Sequence, residues 1–297
     1  MAQQPTSSKK LKWSLRRTPL PNRHLKRPWS RKRPKRLLSN KGANTLVVTY
    51  EKRGNIGLFT LDRPEARNAV SHEVSTELES HLDDFESDDS MWVGILAANG
   101  PVFSAGADLK SVSSGKGIET PKGGFAGLVR YPRSKPLIAA VDGPALAGGL
   151  EIVLSCDLVV ASSAATFGIP EVKRSLIAGA GGLFRLPAAV ARNVAMELAL
   201  TGDPISADRA FQLGLVNALC EPGSVVEAAT ELANRIAVNA PVAVRESRKV
   251  VLETHGKSDE DGWDITREHF RVVVKTEDFK EGPLAFVEKR DPVWKGR

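Results

Sequence analysis

The sequence predicts an α/β fold, a layered sheet with right-handed crossovers followed by a mostly helical C-terminal third. Three observations carry that prediction. Short, uniformly apolar runs recur between positions 46 and 161. An amphipathic helical pattern separates the first of these runs from the next, and after about residue 202 the strand-like runs fade while helical periodicity continues.

Leu46 to Leu61 reads as two β-branched strands around a Gly54-Asn55 turn, and Asp62-Arg63-Pro64 stops the second of them. Residues 71–86 place Val74, Leu78, Leu82 and Phe85 on one helical face, with Ser71 as the N-cap. Trp92-Val93-Gly94-Ile95-Leu96-Ala97 predicts a third strand. Leu137 to Val141 and Leu158 to Ala161 predict two more, apolar on both faces as strands covered by helices tend to be. Beyond residue 202, Ala207–Leu213, Val225–Val238, Val242–Leu252 and a stretch near Glu277–Lys289 have helical character. The division expected is a tail over 1–44, a core over 45–201 and a helical region over 202–297.

Charge divides the chain more sharply than its total suggests. The formal +7 arises from 42 basic and 35 acidic residues, yet residues 1–44 hold fourteen Lys and Arg and no Asp or Glu. The remainder therefore has 28 basic against 35 acidic residues, an acidic globular body behind a basic tail. Five prolines (Pro5, Pro19, Pro21, Pro28, Pro34) and the lack of apolar periodicity predict that the tail is disordered. It is read alternatively as a contact for nucleic acid or anionic lipid, as an organellar targeting segment, or as translated sequence upstream of the true start. The prolines argue against an amphipathic targeting helix, and the absence of a nucleic-acid motif beyond the tail argues against a nucleic-acid partner. Asp142, Glu151 and Asp157 interrupt the longest apolar stretch, so no membrane span is expected. The expected location is the cytoplasm, with the mitochondrial matrix as the alternative.

Cys156 and Cys220 are too few for a disulfide framework and read as free buried thiols. The five histidines (His24, His72, His81, His255, His269) show no metal-ligand spacing, so no metal is expected.

The chemistry concentrates elsewhere. Glu151 and Glu171 lie in the most apolar, glycine-punctuated part of the chain, beside Gly143 to Leu154, Phe167-Gly168-Ile169-Pro170 and Gly179-Ala180-Gly181-Gly182. A carboxyl there loses water, which costs several kcal/mol as the anion or raises its pKa, and such groups mark functional sites. Two small-residue loops accompany them, Phe103 to Lys110 after the third strand and Ala147-Gly148-Gly149 at a helix start. Backbone N–H groups in such loops can hold negative charge. Each loop also reads as a plain tight turn, with Asp108 capping the next helix.

The segments Phe103 to Lys110, Ala140 to Glu151, Phe167 to Glu171 and Leu200-Thr201-Gly202 together resemble the enoyl-CoA hydratase/isomerase (crotonase) family. The resemblance runs from about residue 45 to the C-terminus with the motifs in family order. It implies a crotonase-like spiral of repeated ββα units with a helical C-terminal oligomerisation region, homotrimers or hexamers, and acyl-CoA thioester substrates with no cofactor beyond the coenzyme A they carry. It implies an oxyanion hole at the N–H groups of Ala107 and Gly148, with Glu151 activating water and Glu171 donating a proton to the α-carbon. It further implies coenzyme A contacts at Ala66, Arg67, Ala105, Ala107, Asp108, Leu109 and Lys110, and at Phe286 and Lys289, the last two often from a neighbouring subunit. Ala147 stands where many relatives have a glycine, and Pro144 where an aromatic is commoner. Gly123 to Leu128 and the ending Glu281 to Arg297 are similar to a branch acting on a short acyl-CoA that carries a trimethylammonium group. Such a cation asks for aromatic faces or an unpaired carboxylate at the acyl end. Two alternatives stand beside hydration: a double-bond isomerase of the same family, which needs one glutamate, and a catalytically silent binding protein that uses the basic tail.

Overall fold

The computed structural model describes residues 46–297; the expected disorder of the basic tail lies outside the described residues. Val48–Arg53 (β1) and Ile56–Leu61 (β2) form the expected antiparallel hairpin, with Gly54 at φ +60° in its turn. His72–Ser87 (α1) follows, capped by Ser71, whose side chain accepts the Val74 N–H at 3.4 Å. Its buried Val74, Leu78, Leu82 and Phe85 are the periodic positions of the sequence. Val93–Ala98 (β3) then lies parallel to β2.

Leu109–Ser113 (α2) is a short helix capped by Asp108, and Glu119–Thr120 (β4) pairs with Gly124–Phe125 (β5) in a small antiparallel sheet. Leu137–Val141 (β6) returns to the main sheet beside β3, and Ala145–Leu146 (β7) leads into Gly148–Ser155 (α3). Leu158–Ser162 (β8) pairs with β6, and Thr166–Gly168 (β9) pairs with β7, both in parallel. Gly182–Ala189 (α4) and Arg192–Thr201 (α5) precede Ile205–Ser206 (β10), which adds an antiparallel edge to β9. Ala207–Gln212 (α6) and Ala218–Cys220 (β11) complete the core, β11 joining the main sheet parallel to β8. The C-terminal region consists of Val225–Ala237 (α7), Pro241–Glu253 (α8), Asp259–Val273 (α9) and Asp278–Glu288 (α10).

The main sheet runs β1-β2-β3-β6-β8-β11, parallel from β2 onward, in a spiral of strand, strand and helix units. Alternate residues of β3 explain why its run is apolar throughout. Val93, Ile95 and Ala97 pack with Ala229 and Ala233 of α7, whereas Leu96 faces Leu78, Leu82 and Phe85 of α1. α8 is latched to this core by charge. Arg248 Nε donates to Asp157 at 2.8 Å and its Nη1 to the Arg133 carbonyl at 2.8 Å, while Arg133 reaches the other Asp157 oxygen at 2.5 Å.

Nine elements went unread in the sequence; five of them, β4, β5, β7, β9 and β10, are strands of two or three residues. α4, α5 and α9 are helices without an expectation, and β11 is a strand in a region expected to be helical. α9 buries none of its residues fully, and its apolar positions, among them Trp263, Ile265, Phe270 and Val273, alternate with charged ones over a partly exposed face. Its start carries a local signal: Ser258 is an N-cap whose hydroxyl oxygen accepts the Asp261 N–H at 3.2 Å and whose O–H donates to the Asp261 carboxylate at 2.7 Å. Both thiols are half-buried and free, and burial pushes the Cys156 thiol up to about 12. No helix among the described residues is long and apolar enough to cross a membrane.

Candidate active site

Three loops are stitched edge to edge, and the stitching places the chemistry. Val70 donates to Gly106 O at 2.8 Å and accepts from Asp108 N at 2.9 Å, fixing the loop after β3. Leu146 N donates to Ser104 O at 3.0 Å, and Ala147 N to Gly168 O at 2.9 Å, so the start of α3 is held between that loop and β9. Gly106 and Gly148 touch: a Cβ on Gly106 would lie 2.8 Å from the Gly148 nitrogen. The N–H groups of Ala107 and Gly148 are thereby brought to one place, and among the described residues neither donates to a protein acceptor. Ala147 sits at φ 54°, ψ −129°, a backbone region that disfavours any side chain and costs on the order of 1–3 kcal/mol. Such strain persists at functional sites because the surrounding bonds over-determine it.

Glu151 is one turn into α3 and only 3% exposed. Its Oε1 accepts from Ala180 N at 2.7 Å and Gly182 N at 2.9 Å, the backbone at the start of α4. Burial pushes this carboxyl above the usual range; the two N–H groups and the nearby Arg185 guanidinium pull against the rise. Glu171 follows Pro170 in a single 3₁₀ turn over Pro170–Arg174. Its Oε2 is buried with no hydrogen-bond partner. Burial raises its pKa too, its own N–H opposes, and the Glu151 charge adds to the rise. Burial raises both acids, but their surroundings are unequal: donors oppose the rise at Glu151, whereas Oε2 of Glu171 has none.

A cavity of about 430 Å³ opens from Glu171. Its wall is aliphatic, including Ile169, Ile177, Leu186 and Met196, with Arg192 as its one cation. Gly182 belongs to both parts of the site, because it lines this cavity and donates to Glu151. A second cleft of about 330 Å³ is lined by Arg63, Ala66, Ala107, Asp108, Leu109 and Lys110 among others. It holds five of the sequence candidates together. Arg67 and Ala105 are bonded to each other beside it, Ala105 N donating to Arg67 O at 3.1 Å.

Asp108 has a second task there. Its carboxylate accepts from the N–H groups of Lys110 and Ser111 and pairs with Arg63 at 3.1 Å, so it caps α2 as the plain reading of that loop expected. Arg63 and Ala69 are the lining residues that sequence reasoning missed; Arg63 reads in the sequence only as part of a strand stop, and only the fold brings it across to Asp108. Phe286, 85% exposed, and Lys289, at the end of α10, line neither cavity within one chain. Ala180 was also missed as a Glu151 partner, although its glycine-rich run stood out.

Residues 51–297 match the sequence profile of the family described as Enoyl-CoA hydratase/isomerase. A carnitinyl-CoA dehydratase of Salmonella heidelberg (strain SL476) is 37% identical over 254 residues, covering 83% of this chain and 97% of the relative. The crystal structure of an enoyl-CoA hydratase from Mycobacterium tuberculosis H37Rv superposes with a TM-score of 0.83 at 44% identity, over 85% of this chain and all of that one. A carnitinyl-CoA hydratase from Mycobacterium avium is 48% identical, with a TM-score of 0.69 over 85% of this chain and 100% of that one. The chain belongs to the enoyl-CoA hydratase/isomerase family. Its enzymatic class is that of the hydro-lyases, which add or remove water.

Proposed function

We propose that the protein adds water reversibly across the α,β double bond of an enoyl-CoA thioester through an enolate held by Ala107 and Gly148. The observation that carries this reading is the unequal pair of buried carboxyls beside two unused N–H groups. In the hydration direction Glu151, whose anionic form is the one its two N–H donors favour, takes a proton from water as the oxygen bonds to the β-carbon. The thioester oxygen gains the electron pair, and each N–H donor on it contributes about 3–4 kcal/mol in the transition state. Glu171 then gives its proton to the α-carbon. One proton has entered the pair and one has left it, and transfer from Glu151 to Glu171 through the solvent-linked site resets the pair. Dehydration runs the same steps backwards.

The cleft at Ala66 and Ala107 to Lys110 is the proposed seat of the coenzyme A portion, with Arg63 and Lys110 as its cations. The apolar cavity at Glu171 is the proposed seat of the acyl chain. A homotrimer or hexamer is part of this proposal. Trp263, Phe270, Phe286 and Val287 on α9 and α10 are 58–85% exposed, a large apolar surface for a lone chain, and Phe286 and Lys289 would then reach a neighbour's coenzyme A.

A second reading of the acyl group comes from the names of the Salmonella and M. avium relatives, a substrate bearing a trimethylammonium group. Seated in this cavity, that cation would meet an aliphatic wall, Arg192, and the Glu171 carboxyl, which is uncharged when it holds the proton it donates. A panel of acyl-CoA thioesters separates the readings. We expect kcat/KM for crotonyl-CoA and longer straight-chain enoyl-CoAs to exceed that for crotonobetainyl-CoA by about tenfold, the cost of an unmatched cation in an apolar site. The reverse ranking would assign the cationic substrate, and no turnover of any enoyl-CoA would overturn the hydratase reading itself.

A further inference from the structure

Arg185 is half-buried on α4, and its hydrogen bonds go to carbonyls instead of a carboxylate. Nη2 donates to Val129 O at 2.6 Å and Nη1 to Ala180 O at 3.3 Å. A guanidinium taken partly out of water with no ion pair is costly, so its placement calls for a function. Its position supplies one. The N–H groups of Ala180 and Gly182 hold Glu151, and Arg185 bonds the Ala180 carbonyl, on the Ala180–Gly181 peptide that lies between those two donors. Gly181, at φ +108°, lets the guanidinium lie against this turn: a Cβ there would fall 2.3 Å from Nη1.

We propose that Arg185 is a positioning residue for water activation: it anchors the Ala180–Gly182 turn to Val129 and so keeps two N–H donors and a positive field on Glu151. The inference rests on the hydratase reading for its kinetic consequence and on geometry alone for its electrostatic one. Burial lowers the pKa of Arg185, the Glu151 charge raises it, and Glu151 is drawn down by Arg185 in return. The other charged or titratable groups acting on this pair are Cys156 beyond the end of α3 and Arg133 before β6 on Arg185, with Glu171 on the facing turn coupled to Glu151.

The test uses Arg185→Met and Arg185→Lys in the full chain. With crotonyl-CoA, Arg185→Met is expected to lose at least tenfold in kcat with KM within about twofold, because Arg185 lines neither cavity. The acid limb of its kcat/KM profile moves to higher pH, since Glu151 ionises less readily. Arg185→Lys keeps the charge and recovers part of kcat with the limb near its original position. A folded Arg185→Met with unchanged kcat and an unmoved acid limb overturns the proposal, as does a loss confined to KM.

A second readout needs no turnover. In thermal unfolding, the destabilisation by Arg185→Met is expected to shrink by about 2 °C in a Glu151→Gln background at pH 8, and to be equal in the two backgrounds at pH 4, where Glu151 holds a proton. Additivity at both pH values overturns the Arg185–Glu151 coupling. An inactive wild type showing the coupling would overturn the hydratase reading and leave the Arg185–Glu151 coupling standing.

Discussion

Glu171→Gln abolishes hydration, with kcat falling about 10²- to 10⁴-fold, while affinity for a saturated acyl-CoA stays within about threefold. The reason lies in the unpartnered Oε2: a group that bonds nothing in the resting site acts only when the α-carbon needs its proton. Steady-state turnover and ligand titration check the two halves of the statement. Glu151→Gln loses kcat by a similar factor, since an amide cannot take the proton from water.

Glu171→Gln also carries a signature in stability. The Glu171 carboxyl has a folded-state pKa above its unfolded value, because burial and the Glu151 charge disfavour the anion. The native state therefore keeps a proton that the unfolded chain has released, and stability declines as pH rises from the ordinary glutamate value through the folded one. Glu171→Gln removes that decline. Its Tm should exceed that of the wild type by about 2 °C at pH 8, and the gap should close near pH 4. A catalytic acid that costs stability in this way differs from a glutamate kept for packing, whose loss would lower Tm at every pH.

Gly148→Ala costs about 10²-fold in kcat by a different route. A Cβ at Gly148 would stand 2.5 Å from the Phe125 ring and 3.3 Å from Gly106 Cα, so the start of α3 must back away from the loop after β3. That motion draws the Gly148 N–H off the thioester oxygen and leaves Ala107 as the lone donor. Adding Phe125→Leu makes room for the methyl and should restore a large part of kcat. Circular dichroism of the single variant should match the wild type. The neighbouring Gly149 behaves otherwise: its Cβ would fall 2.2 Å from the Ser104 carbonyl oxygen, backbone that cannot yield, and Gly149→Ala should destabilise the fold itself.

Local signals carried the sequence reading where local physics decides the structure. The β1–β2 hairpin follows from Gly54-Asn55 between β-branched runs, α1 from its apolar spacing and Ser71 cap, and the buried strands β3, β6 and β8 from runs that tolerate no polar face. The family resemblance supplied the spiral. β11 escaped because three residues, Ala218-Leu219-Cys220, pair with β8 only through the tertiary fold. β7, β9 and β10 are two or three residues long, too short for any period to show, yet they hold the loops of the site in register. In the site, Glu151 and Glu171 were legible as carboxyls out of place. The partners that make them unequal were not, since Ala180 N, Gly182 N and Arg185 reach Glu151 across about thirty residues of chain through backbone geometry that no residue type announces.

The central claim is that this unequal pair adds water to a conjugated thioester. Incubating the wild type with crotonyl-CoA in deuterated water and analysing the product by mass spectrometry and NMR tests it most directly. The account predicts a 3-hydroxyacyl-CoA that has gained one water and carries a single deuterium at the α-carbon, with neither change made by the Glu151→Gln/Glu171→Gln double variant. A product in which the double bond has moved without gain of water, or water addition that survives in the double variant, would contradict it.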